Sequence, residues 1–179
     1  MPEYSIDALK AVLNARNGLA RKNRYEVNIF AGNGKGAEVL NILCTDCSIP
    51  SITITSTDAG LTANKYKIAT GYSYEPVTFK FMLPGSSSAT GPKEFFDAWM
   101  RTLVISHKDN YILNYPDSYR QDVDIKQLNL QNEAIYHVKL IQAWPTSIDA
   151  MSLNNSSDEI QEISVTMEYR DIAIVNYFR

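Results

Sequence analysis

Residues 51–74 constrain the fold more than any other stretch. Ile52 and Ile54 alternate with Thr53 and Thr55, residues 57–64 have the composition of a loop, and Tyr66 and Ile68 resume the alternation among Lys65, Lys67 and Thr70. This is the pattern of two strands around a loop. The ribbon carries too little apolar surface to be stable in water by itself, and its open edges template pairing with another chain. It must therefore lie against something. From these residues alone two answers stay open: a hairpin folded back on its own domain, the commoner arrangement, or an arm laid on a partner.

At 179 residues, 45% of them hydrophobic, the chain is long enough to bury a proper core, most simply as a single domain spanning residues 1–179. A net charge of -3 argues against a dedicated nucleic-acid binder, which needs a basic surface for phosphate. The first residues lack a basic run followed by an apolar stretch, and no segment is apolar for the eighteen or so residues that a membrane span requires. A chain made in the cytosol, with no membrane insertion, is expected.

Ser5 caps an expected helix over about residues 5–16, in which Ile6, Leu9 and Leu13 recur at helical spacing. Tyr25, Val27 and Ile29 mark a half-buried strand. A Gly-rich turn at residues 32–36 then leads to an expected second strand over Val39–Cys44, so that a hairpin precedes the arm. Beyond the arm, Val77, Phe79 and Phe81 share one strand face. Pro92 starts a second helix, whose Phe95, Phe96, Trp99, Met100 and Leu103 form a wide apolar stripe. Three more strands follow, Tyr119–Leu128, Ala134–Trp144 and Ile160–Tyr169. The expected class is mainly β (α+β): a barrel or sandwich of about seven to eight mostly antiparallel strands, with a long hairpin arm and two flanking helices.

The candidate chemical motifs do not hold together. Gly32-Asn33-Gly34-Lys35-Gly36 lacks the Lys-Ser/Thr ending of a phosphate loop and reads as a turn. Cys44 and Cys47 have CxxC spacing but lead into extended chain, which favours two reduced structural thiols over a redox pair. His107 and His137 are not spaced as paired zinc ligands. Asp122 and Asp124 share a strand face, and two carboxylates there could hold a metal or divide acid and base roles; between Arg120 and Lys126 they read more simply as a solvated face. No enzyme, catalytic residue, metal or cofactor is expected.

Ordered landmarks along the chain resemble those of one family. The run from Gly18 to Ile29 after a short amphipathic helix, Cys47-Ser48-Ile49-Pro50 before the arm, Tyr74 to Phe81, the helix Glu94 to Trp99, Ala143-Trp144-Pro145-Thr146-Ser147-Ile148 and Glu159 to Thr166 are similar to the tail tube proteins of contractile-tailed bacteriophages. In that family the Trp-Pro segment is a closing turn. The resemblance covers roughly Ile6 to Tyr169; loop 85–91 and a C-terminal extension, 171–179, depart from it.

It implies a structural virion protein whose six copies form a ring, with rings stacking into the inner conduit for DNA delivery. Related roles are a baseplate-end initiator and the tube of a contractile injection system; a small β-barrel binding module is the alternative of another class. The implied partners are the chain itself, sheath, tape measure and baseplate proteins, with DNA passing through unbound, and the implied location is the virion tail. The arm would then cross an adjacent subunit through Ile52, Ile54, Leu61, Tyr66, Ile68 and Tyr72. Candidates to line the lumen are Arg120, Asp122, Asp124, Lys126, Glu162 and Glu168, four carboxylates against two cations and thus weakly repellent to DNA.

Overall fold

The computed structural model describes residues 5–15, 18–29, 37–60, 65–85, 91–107, 110–151, 153–156 and 158–175. In chain order the elements are α1 (Ile6–Ala15), β1 (Tyr25–Ile29), α2 (Ala37–Leu43), β2 (Cys44–Cys47), β3 (Ile52–Ala59), β4 (Tyr66–Tyr74), β5 (Val77–Met82), α3 (Pro92–Leu103), β6 (Val104–His107), β7 (Asn110–Leu113), α4 (Pro116–Tyr119), β8 (Gln121–Leu128), β9 (Ala134–Ile148), β10 (Glu162–Glu168) and β11 (Asp171–Val175). The mainly β class is as expected. Seven strands form one antiparallel sheet, ordered β1-β8-β9-β10-β5-β2, with β11 also on β9.

The long strand β9 makes this sheet two-sided. Its first part pairs with β8 and β11, and its last part, Trp144–Ile148, pairs with β10. The change of partner comes at Gln142, whose φ of 54° is left-handed and unusual for a side chain with a Cβ. A bulge falls there, since Gln121 faces Ala143 while Val123 faces Leu140. One half-sheet is therefore β1-β8-β9-β11 and the other β9-β10-β5-β2. The Tyr25 hydroxyl links their outer strands by donating to the Cys44 carbonyl at 2.9 Å.

Both halves turn their apolar residues onto one core. Val27, Ile29, Val123, Ile125, Val138 and Leu140 come from the first, and Val77, Phe79, Phe81, Ile163, Val165 and Met167 from the second. Helix α3 adds Phe96 and Trp99: the Phe96 ring lies 5.2 Å from Phe81, and the Trp99 indole donates to the Tyr119 carbonyl at 2.6 Å. Pro92 opens that helix, where a missing N–H costs nothing.

The structure corrects the sequence reading in four places. Residues 37–43 are helical, so the strand expected over Val39–Cys44 and its hairpin do not form, and β1 pairs with β8 instead. Leu40 is buried there while Ile42, which a strand would put on the same face, is exposed. Asn41 of α2 accepts from the Ile29 N–H and donates to Asn28, tying the helix to the end of β1. The turn expected at 32–36 lies outside the described residues.

Second, residues 171–175 are strand β11 rather than an extension beyond the sheet. Third, β6 and β7 form a further hairpin directly after α3. Finally, Ala143–Ile148 is the end of β9 and not a turn; Pro145 is tolerated beside the bulge between Thr166 and Met167. Helix α1 is as expected, with the Ser5 hydroxyl accepting from the Ala8 N–H at 3.2 Å.

Candidate assembly surfaces

Among the described residues, strands β3 and β4 pair only with each other, through an antiparallel register running from Ile52–Tyr74 to Ala59–Tyr66. Every residue of β3 but Ala59, and every residue of β4 but Tyr74, is exposed. The hairpin thus does not fold back on its own body. Of the six residues expected to form an interface, Ile52, Ile54, Tyr66, Ile68 and Tyr72 are all exposed on it, with Ile54 at 66% and Tyr72 at 68%. Leu61 lies outside the described residues.

The root of the arm is held firmly. The Glu75 N–H donates to the Ser51 carbonyl at 3.2 Å, and the Tyr169 hydroxyl donates to the Glu75 carbonyl at 2.7 Å. Tyr74 packs its ring 5.7 Å from Tyr169 and donates its hydroxyl to Asp171 at 2.8 Å. That bond pushes the Tyr74 phenol up to about 12 and holds the Asp171 carboxyl below its ordinary range. Sequence reasoning missed this anchor because its members are nearly a hundred residues apart.

A polar surface lies on the core-distal face of the first half-sheet. Asp122, Asp124 and Lys126 of β8 stand there beside Glu26 of β1 and His137 and Lys139 of β9, as the strand registers require. Each lysine there lies beside a carboxylate, and Asp124 lies beside His137. Lys139 lies 2.9 Å from Asp122, His137 3.1 Å from Asp124, and Lys126 3.6 Å from Glu26. Asp122 also accepts from the Gln142 N–H at 3.0 Å, the donor exposed by the bulge. That backbone hydrogen bond, followed by Lys139, holds the Asp122 carboxyl below its ordinary value.

The other lumen candidates do not join this patch. Arg120 precedes β8 and sits over the Trp144 ring at 4.8 Å, with a bond to the Gln142 side chain at 3.4 Å. Glu162 and Glu168 belong to the second half-sheet, across the bend at Gln142, where Glu162 accepts from Thr45 at 3.2 Å. The six candidates are therefore split between two half-sheets. Lys139, Glu26 and Gln142 escaped sequence reasoning because only the register brings them to β8.

This geometry leaves little for chemistry. Asp122 and Asp124 are occupied as hydrogen-bonding and charge partners, and the described residues hold no group of three His, Cys, Asp or Glu able to bind a metal. Burial pushes the Cys44 thiol up to about 12 and that of Cys47 to about 11, so both stay protonated and unreactive near neutrality. What stands out is an exposed arm on a rigid β body.

The family model "Phage tail tube protein" matches residues 20–174. The chain belongs to that family. It is a tail-associated structural protein, not an enzyme. A search of curated proteins gives no match. Solved structures share the fold: a chain of the anti-feeding prophage baseplate, 6-fold symmetrised, superposes with a TM-score of 0.65 at 17% identity, over 90% of this chain and 98% of that one. A chain of the PVC sheath–tube complex, an extracellular contractile injection system in the extended state, gives 0.64 at 17% identity over 97% and 99%. A chain of the anti-feeding prophage tube-terminating cap gives 0.63 at 16% over 88% and 91%. The tail tube family thus shares its fold with components of contractile injection systems.

Proposed function

We propose that this tail tube protein self-assembles into hexameric rings that stack as the inner tube of a contractile tail, the conduit for DNA delivery into the host. The observation that carries this reading is the β3–β4 arm, on which Ile52, Ile54, Tyr66, Ile68 and Tyr72 are all exposed. An exposed two-stranded ribbon of this length is stable only against a neighbour. The 6-fold symmetry of the anti-feeding prophage assembly supports six copies per ring. Head-to-tail stacking of rings gives a polymer of indefinite length, so its length is set by another protein acting as a ruler.

The polar face of the first half-sheet is the better lumen wall. Asp122 and Glu26 stand against Lys139 and Lys126 in paired contacts, so the wall offers DNA neither a strong attraction nor a strong barrier. Sheath and baseplate proteins are the partners that the sheath–tube and baseplate assemblies of the structural relatives support. A tape measure protein fits the need for a ruler. The chain is made in the host cytoplasm and functions in the virion tail, as a single tail-tube domain.

Replacing Ile52, Ile54 and Ile68 with Asp tests the reading. Those side chains are exposed and outside the core, so the variant folds as a monomer with unchanged circular dichroism and forms no rings or tubes. Tubes of wild-type yield from this variant would remove the arm from the interface.

A further inference from the structure

The register of the arm changes partway along. Ile52 faces Tyr74 and Ile54 faces Tyr72, but after Thr55–Gly71 the next pair is Ser56–Ala69, so Thr70 has no partner and forms a bulge. Its hydroxyl donates to the Thr55 carbonyl at 3.3 Å. Strand β3 alternates without interruption, which fixes the faces. Ile52, Ile54, Tyr72 and Tyr74 occupy one face at the root; Ile68 and Tyr66, opposite Thr57 and Ala59, occupy the other face at the tip. In an unbulged ladder Ile68 would face Asp58, and all these residues would share one side.

The two apolar patches therefore look in opposite directions, and apart from Tyr74, which packs on Tyr169, both are uncovered: Ile54 is 66% and Tyr72 68% exposed at the root, Tyr66 63% and Ile68 44% at the tip. A neighbour seated on one face leaves the other bare. The arm projects about 25 Å at roughly 3.3 Å per residue, more than the ~16 Å radius of gyration expected of a chain this size. It is long enough to leave one neighbour and reach the next. The arm also carries Lys65 and Lys67 against Asp58 alone, in a chain whose net charge is -3, so it suits the acidic surface of its own kind.

Building on the tube reading, we propose that each arm joins two different copies of this chain, one held by the root face and the other by the tip face. The Thr70 bulge is the device that separates the two contacts.

Photo-crosslinking reads this directly. A trace of labelled subunit with p-benzoylphenylalanine in place of Ile54, of Ile68, or of both is assembled with excess unlabelled wild-type chain. Each single replacement gives a two-chain product, and the double replacement gives a three-chain product containing one labelled chain. Intact tubes in which the double replacement yields only two-chain products overturn the two-copy arm while leaving the tube reading standing. Failure of the wild-type chain to assemble overturns both. A second variant inserts one Thr between Thr55 and Ser56, which pairs Thr70 and moves Ile68 and Tyr66 to the root face. It retains its circular dichroism but loses the tubes; wild-type tubes from it contradict the proposal.

Discussion

Gln142 is the residue on which the shape of the sheet turns. Its left-handed backbone at φ 54° lets β9 exchange β8 and β11 for β10, and the N–H thus exposed is taken by Asp122. Its side chain accepts from Arg120 at 3.4 Å and Arg170 at 3.3 Å, which gathers three segments at the bend. A β-branched residue is strongly disfavoured in this backbone region, so Gln142→Val destabilises by about 2 kcal/mol, read by urea denaturation. Asp122 adds a pH signature. Its carboxyl is held below the ordinary 3.8, so its contribution is present above that value and is lost as pH falls through the lower folded value. Asp122→Asn therefore lowers Tm at pH 7, and the gap from wild type closes as pH drops below about 4. A constant gap down to pH 2 would rule out the ionised carboxylate as the stabilising species. None of this was legible in sequence: Asp122 looked like one charge on a wet strand, and the bulge that gives it a partner leaves no Gly at 142 to mark it.

Among the elements, α3 and the arm differ in how much their residues disclosed. The stripe Phe95, Phe96, Trp99 repeats at helical spacing, Pro92 fixes the start, and the helix lies where the pattern puts it. Phe96 is fully buried against Phe81 and Trp99, so Phe96→Ala costs about 3–5 kcal/mol, checked by chemical denaturation. Residues 39–44 were not legible in the same way. A short apolar run fits a strand or one helical turn equally well, and the exposure of Ile42 two residues after the buried Leu40 decides, because a strand would put both on one face. In the arm both strands were readable, whereas the sidedness was not. Reading Ile52, Ile54, Tyr66, Ile68 and Tyr72 as one even-numbered face assumes an unbroken ladder. Gly71 was the available clue, because an isolated Gly within a strand pattern often marks a bulge.

At the scale of the molecule, two half-sheets and α3 enclose one core while the arm stands away from it. The body positions the arm, and the arm has no use without neighbours. The charged strand faces were legible as solvated surface; their division between two half-sheets was not, since it depends on the bend at Gln142. The central claim is that the isolated chain assembles. Size-exclusion chromatography of purified protein over a range of concentrations, with negative-stain electron microscopy of the eluted fractions, measures it most directly. The account predicts ring-sized species that give way to stacked tubes as concentration rises; a chain that stays monomeric at the highest concentration, with no rings on the grid, would contradict it.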